Sequence, residues 1–398
     1  MQLLKGLKVI DLTTVVLGPF TTQILGDFGA EIIKVESLSG DIYRGVYPQK
    51  NPKMGSGFLN VNRNKKSIAI NLKTQEGYEI LTRLVADADI FVHNMRVSAI
   101  NRLNLSYQEV SKMNKHIIYC AAPGFGSNGQ YANKPAYDDI IQSISGIAGL
   151  NKDQHGIPRF VPTILTDKVS GLYALYAILA ALHYRSQTGI GVELEVPMYE
   201  SIVSFLLAEH LQGHIYQPPV EGLGYKRILN KYRRPHQTED GFLAVMPYSY
   251  KNWVDLLTIF DRKDLADEEW MKEASERSRR VAELYQVIGE ELQNMPTSYW
   301  VSKMEEKSIP CAPVQSLEDL MEDPHLKEVD FFFETEHPSE GPLQQIRQPV
   351  KINSKNPDTH SPAPRLGEHT VEVLEKLGYP KKDIQNLVDG QVVSTGVK

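Results

Sequence analysis

Short apolar runs of strand length alternate with stretches of helical period through the first half of the chain. LKVIDLT (7–13) suits a strand buried on both faces. The following GPFTTQILGDFGA opens with Gly18 and Pro19, and a proline fits a first helical turn because its missing N–H needs no partner there. Gly29 closes that helix and EIIKVE (31–36) forms the next strand, so the unit is βαβ with a right-handed crossover. Residues 41–57, rich in Gly, Pro and Asn, read as a loop. The alternation resumes with a strand at 66–72 and a helix at 76–86 carrying Ile80, Leu81, Leu84 and Val85 on one side. Strands follow at 89–93 and 115–122, with short helices at 99–102 and 107–113 between them. A Gly-rich loop, PGFGSNGQYANKPAY (123–137), comes next. The segment 160–186 then holds a long helix with apolar residues at Val169, Leu172, Leu175, Tyr176, Leu179 and Leu182, the spacing of one buried face. A strand at 191–197 and a helix at 198–209 complete the series. This pattern predicts an α/β fold built on an open, doubly wound parallel sheet.

Beyond it the pattern changes. Residues 213–239 mix Pro, Gly, Tyr and basic residues with little period, which suits a linker. Periodicity returns with FLAVMP (242–247), a helix at 251–260, and charged helices at 267–295 and 298–306, closed by the strand-like IPCAPV (309–314). The expected organisation is a large domain over 1–212, a linker at 213–239, a small helical domain at 240–315, and a return to the large domain over 316–398, ending in a helix at 368–377.

Composition narrows the class. The 398 residues are 41% hydrophobic and 23% charged, ordinary for a globular protein, and the formal net charge is −6. That balance argues against a nucleic-acid partner. No apolar run approaches the ~18 residues of a membrane span and MQLLKGLKVIDL does not read as a signal peptide, so no membrane partner and a cytoplasmic location are expected. The two cysteines, Cys120 and Cys311, lie far apart and suggest neither a disulfide scaffold nor a thiolate metal site.

Candidate chemistry centres on Asp167, set where the long helix begins. Such a carboxylate is commonly a helix cap; alternatively the helix end holds it ionised and placed as a nucleophile. No HExxH, P-loop, G-x-S-x-G or dinucleotide fingerprint is present, since GDFGA ends a helix instead of opening one. His210 and His214 stand at i, i+4, but the adjacent Glu209 points off another face, so no metal is expected. Cys120 reads as a buried structural thiol. The cations of NRNKK (62–66), with Lys73, Arg96 and Arg102, fall near element ends. In an open sheet the loops after the strands gather into a ligand crevice, and cations there would suit a phosphate-bearing ligand; they equally fit a solvated rim.

Taken together, LKVIDLT with GPFTTQILGDFGAEIIKVE, NRNKKSIAINLK, ADIFVHN, PGFGSNGQ with PAYD, TDKVSGLYA, TGIGVELEVPMYES, IPCAPV and RLGEHTVEVLEKLGY resemble the family III CoA-transferases. That group includes formyl-CoA transferase and crotonobetainyl-CoA:carnitine CoA-transferase. The resemblance implies a Rossmann-like large domain formed by both chain ends, a smaller inserted domain, and an interlocked homodimer. It makes Asp167 the catalytic residue, which would exchange one thioester for another through an aspartyl anhydride and an aspartyl-CoA thioester. Coenzyme A would be a substrate, exchanged between an acyl-CoA and a small carboxylic acid, with no bound cofactor. CoA-binding positions would fall on Val16, Leu17, Ile70, Asn71, Leu72, Lys73, Asn94, Met95, Arg96 and Arg102, and the acyl-group pocket on Tyr137 and Asp138.

Two departures from formyl-CoA transferase argue against a formyl or oxalyl substrate. Ser37 stands where that enzyme has a CoA-binding arginine, and HQTEDG has no tetraglycine loop. Two other readings are an α-methylacyl-CoA racemase and a non-catalytic acyl-CoA-binding protein. The racemase uses a Gly-His-Asp triplet, here Ala136-Tyr137-Asp138, and tyrosine is a far weaker base near neutral pH. A binding protein would be indifferent to loss of the Asp167 carboxylate.

Overall fold

Seven strands order the sheet. β1 (Lys8–Asp11), β2 (Glu31–Glu36), β3 (Lys65–Ile70), β4 (Ile90–His93), β5 (Ile118–Ala121) and β6 (Val192–Glu195) run parallel, and β7 (Val393–Ser394) pairs antiparallel with β3. The order across the sheet is β7-β3-β2-β1-β4-β5-β6, so the direction of winding reverses between β1 and β4. The structure, a computed structural model, describes residues 1–153, 155–357 and 361–396.

Side-chain alternation along the strands creates two cores. Ile10, Ile33, Ile68, Phe91 and Tyr119 face helix α2 (Gln75–Ala86) and the C-terminal helices Thr370–Lys376 and Lys381–Asp389. Val9, Ile32, Val92, Ile118 and Cys120 face the other way, into a core shared with Leu25 of helix α1 (Leu17–Asp27) and with Ala174, Ile178 and Ala181. With both faces covered, near-continuous apolar strands are what such a sheet requires. Burial pushes the Cys120 thiol up to about 12, so it is inert.

The long helix, Leu165–Thr188, begins two residues before Asp167, which therefore sits inside its first turn. Its inward face is not the large apolar stripe predicted by periodicity. Ser170, Gly171, Ala174, Ile178 and Ala181 are buried, whereas Leu172 is 48% and Tyr176 56% exposed. The cause is a close approach to α1: a Cβ on Gly171 would lie 2.8 Å from the Leu17 carbonyl oxygen, and Thr21 Oγ1 donates to the Gly171 carbonyl at 2.8 Å. Only small residues fit such a contact. The helix is also long and apolar enough to match a membrane span by length and composition, contrary to the sequence expectation, but its small-residue face packs into the core.

The chain divides into two compact units, 1–206 with 330–398, and 207–329. Residues 213–239 and 316–329 thus lie within the second unit, which is built on an antiparallel three-stranded sheet (His236–Gln237, Phe242–Val245, Cys311–Pro313). Trp253, Leu256, Tyr285, Ile288 and Trp300 fill its core. In the first unit an antiparallel hairpin, Phe332–His337 with Gly341–Ile346, occupies a stretch where periodicity signalled nothing.

Candidate active site

The loops after β1 and β4 meet where the winding reverses, the place where open α/β sheets bind ligands. Asn94 joins them twice: its Oδ1 accepts from Thr14 N at 3.1 Å and its Nδ2 donates to the Thr14 carbonyl at 2.8 Å. Val15 holds φ at +70°, a conformation that a β-branched residue seldom adopts. The Asp41 carboxylate fixes it by accepting from Val15 N at 3.1 Å. Asp41 pairs with Lys34 at 3.1 Å, and Lys34 Nζ donates to the Thr13 carbonyl at 2.7 Å. Asp11 pairs with Lys65 at 3.2 Å, and all four charged side chains are buried. Burial would raise Asp11, but Lys65 and Lys34 hold its carboxyl down at about 2. A fully satisfied ionic layer therefore braces the strained loop from beneath.

His93 supports the second loop. Tyr119 Oη donates to the Leu105 carbonyl at 3.0 Å, so at 2.7 Å the His93 Nε2–H donates to Tyr119. That leaves Nδ1 to accept from Met95 N at 3.2 Å. Burial pushes His93 down to about 3, which keeps it neutral in this role.

Between these loops opens a cavity of about 700 Å³. Its rim carries Lys73, Arg96, Arg102 and Lys134, and Asp167, Tyr137 and Leu17 also line it. Among the described residues none of the four cations forms an ion pair; Lys134 instead lies 3.9 Å from the centre of the Tyr131 ring. Several unpaired cations over one hollow are a binding field for an anion.

Asp167 is 7% exposed and its carboxylate oxygens accept no hydrogen bond among the described residues. Burial, reinforced by the charge of Asp138, pushes it up to about 7. It does not cap its own helix. Asp138, at the start of the helix Asp138–Ile144, does so from outside: its Oδ1 accepts from Thr166 N at 2.6 Å, Thr166 Oγ1 at 2.8 Å and Asp167 N at 3.1 Å. One turn on, Ser170 Oγ is buried with no hydrogen-bond partner among the described residues. Tyr43 is close enough that burial and then the charge of Asp167 raise its phenol.

Of the positions that the resemblance suggested, Asp167, Leu17, Lys73, Asn94, Met95, Arg96, Arg102 and Tyr137 line the cavity. Val16 is buried beside it, and Ile70 lies inside β3 paired with Val393. Asn71 Oδ1 accepts from Lys73 N at 3.2 Å, shaping the turn that presents the lysine, while Leu72 packs against the core. Asp138 does not line the cavity. The NRNKK cations are absent from it too, because they enter β3 and do not follow it. Arg63 pairs with Asp27 at 2.6 Å, Lys65 with Asp11, and Lys66 with Glu31 at 2.8 Å and Glu372 at 3.0 Å. Lys134 and the bracing ions Lys34 and Asp41 escaped the sequence reading; a lone lysine three residues before Tyr137 in a Gly-rich loop was the available signal for the first. Among the described residues no group of three His, Cys, Asp or Glu side chains is placed to hold a metal ion. His210 is instead engaged by Tyr225 N at 3.1 Å.

The class is thus an α/β protein with a mostly parallel sheet and a buried carboxylate beside a cation-rimmed cavity. The sequence model of CoA-transferase family III matches residues 4–370, and the chain belongs to that family. It is an enzyme that transfers CoA. It is 31% identical to human succinyl-CoA:glutarate CoA-transferase over 98% of this chain and 90% of the relative. It is 28% identical to (R)-2-hydroxy-4-methylpentanoate CoA-transferase of Clostridioides difficile, over 98% and 100%. Among solved structures, a CAIB/BAIF family protein from Brucella suis superposes with TM-score 0.79 at 26% identity, covering 94% of this chain and 99% of that one.

Proposed function

We propose that this enzyme moves CoA from an acyl-CoA to a free carboxylate with Asp167 as the nucleophile. The observation that carries the reading is a buried carboxylate with no hydrogen bond, opening onto a cavity rimmed by unpaired cations. With no hydrogen-bond partner among the described residues and little exposure, such a group is a stronger nucleophile than a fully solvated carboxylate once it is ionised.

The Asp167 carboxylate attacks the thioester carbonyl of the donor; the C–S bond breaks and CoA thiolate leaves an acyl-aspartyl anhydride. The thiolate then attacks Cγ of Asp167 and expels the donor carboxylate, giving an aspartyl-CoA thioester. The acceptor carboxylate attacks the same Cγ and expels the thiolate, forming a second anhydride. Thiolate attack on the acceptor carbonyl yields the new acyl-CoA and restores Asp167. Each bond broken is matched by one formed, and Arg96, Arg102, Lys73 and Lys134 would hold the CoA phosphates. A short or dicarboxylic acyl group is the substrate class proposed, in keeping with the name of the human relative. A second copy of the chain would cover Leu172, Tyr176 and Leu179, consistent with the interlocked homodimer that the resemblance implies.

The test is mass spectrometry after incubation with a panel of acyl-CoAs: a CoA-sized adduct is expected on the peptide holding Asp167. Absence of both the adduct and any exchange with carboxylates would rule out transfer through an aspartyl-CoA thioester. Arg96→Ala and Arg102→Ala should each raise the KM for acyl-CoA by roughly 10-fold with kcat little changed, and binding should weaken as salt rises. Steady-state kinetics at two ionic strengths checks this; a fall in kcat alone would remove those residues from the CoA site.

A further inference from the structure

We propose that Asp138 is a positioning residue for Asp167: its carboxylate caps the helix that carries Asp167 and sets the charge against which that nucleophile ionises. This rests on the reading of Asp167 as nucleophile but assigns Asp138 a different place from the acyl pocket.

The geometry carries the argument. A helix of 24 residues starting at Leu165 has no capping side chain of its own, because Ile164 offers no acceptor. Its first N–H groups therefore need an external partner. Asp138 meets that need with one oxygen, taking the Thr166 N–H, the Thr166 hydroxyl and the Asp167 N–H. Its other oxygen accepts from Gln142 Nε2 at 2.6 Å. Gln142 Oε1 in turn accepts from Val161 N at 2.8 Å, which ties down the segment leading into the helix. Three of these bonds go to Thr166 and to the main chain of Asp167, and none to the Asp167 carboxylate, so the cap fixes the residue while leaving its oxygens bare.

The second consequence is electrostatic. The titratable groups around Asp167 are Asp138 from the helix Asp138–Ile144, the neutral phenol of Tyr43 from the turn Ile42–Gly45, and the cations Lys73, Arg96, Arg102 and Lys134, which line the same cavity. After burial, Asp138 is the group that raises Asp167. A like charge at the helix start thus opposes the dipole that would otherwise favour early ionisation.

Asp138→Asn separates the two roles, because its amide oxygen can still accept from the helix N–H groups while the charge is gone. In unliganded protein carrying ¹³C-labelled aspartate, the Asp167 resonance, identified by its loss in Asp167→Asn, should titrate roughly one pH unit lower in Asp138→Asn than in the natural chain. The acidic limb of kcat/KM should move to lower pH by the same amount. Asp138→Ala, which removes the cap as well as the charge, should show the same shift of the acidic limb, lower kcat about 10-fold on the high-pH plateau, leave KM for acyl-CoA nearly unchanged, and speed amide exchange at 165–168. If Asp138→Asn does not fold, Asp138→Ser, a neutral capping residue, carries the same titration. An unshifted Asp167 titration overturns the proposal even if the aspartyl-CoA adduct is found. Absence of the adduct removes the nucleophile reading while the titration, which needs no turnover, still decides the role of Asp138.

Discussion

Asparagine in place of Asp167 will lower kcat/KM for CoA exchange by on the order of 10⁴-fold or more, while acyl-CoA binding stays within about 3-fold. The asymmetry follows from the site. Of the rim cations that would hold CoA, Lys73 and Arg96 follow β3 and β4, Arg102 ends the short helix Val97–Arg102, and Lys134 is on the Gly-rich loop. Asparagine nearly matches aspartate in shape, and the bonds from Asp138 reach the main chain of residue 167, so the helix start is retained. On the proposed mechanism, what disappears is the oxygen that would attack the thioester carbonyl and the carboxyl that would carry CoA as a thioester. With a carboxyl raised to about 7, the natural enzyme keeps a sizeable ionised fraction at neutral pH and an unusually basic nucleophile in that fraction. Exchange assayed with labelled carboxylate and binding assayed by calorimetry make the comparison. A variant that still exchanges CoA within about 10-fold of the natural rate would exclude Asp167 as nucleophile; one that also loses binding would mean that the residue shapes the CoA site.

How far the sequence disclosed this site depended on the kind of force at each residue. Strands and helices of the sheet domain declare themselves through period, and the edge at which Arg96 and Arg102 gather follows from the rule that loops after parallel strands share one side. Period does not say which of two apolar helix faces turns inward. The long helix has Leu172 and Tyr176 on one side and Gly171 and Ala174 on the other, and only the approach of α1 selects the small side. Nor does spacing in sequence report spacing in space. Asp138 and Asp167 are 29 residues apart and meet through one helix start; Lys34 on β2 and Asp41 in the loop after it brace Thr13 and Val15. A basic run such as NRNKK looks like a surface feature because the acids that pair with its cations, Asp27, Asp11 and Glu372, are invisible until the chain folds.

The same Asp167→Asn substitution should make the folded chain more stable at pH 8, the reverse of what loss of a buried side chain usually brings. The carboxyl titrates near 7 when folded, against an ordinary value of 3.8. A raised acid holds its proton more tightly in the folded state, so stability is fully present below about 3.8 and declines as pH climbs through 7. Each unit of that difference corresponds to ~1.4 kcal/mol, giving a ceiling of ~4 kcal/mol above pH 7, which water in the open cavity would reduce to about 2 kcal/mol. Asparagine carries no charge to bury and escapes this cost. The thermal midpoint of the variant should therefore exceed that of the natural chain at pH 8, and the gap should narrow steadily toward pH 4. Scanning calorimetry across that range is the measurement. A gap independent of pH would mean that Asp167 is not held above its ordinary range. A gap that widened toward acid would mean that a partner stabilises the ionised carboxylate, contrary to the unpartnered oxygens from which its reactivity is argued. On the proposed mechanism activity and stability oppose each other at one carboxylate: the desolvation that would make it reactive also destabilises the fold when it ionises.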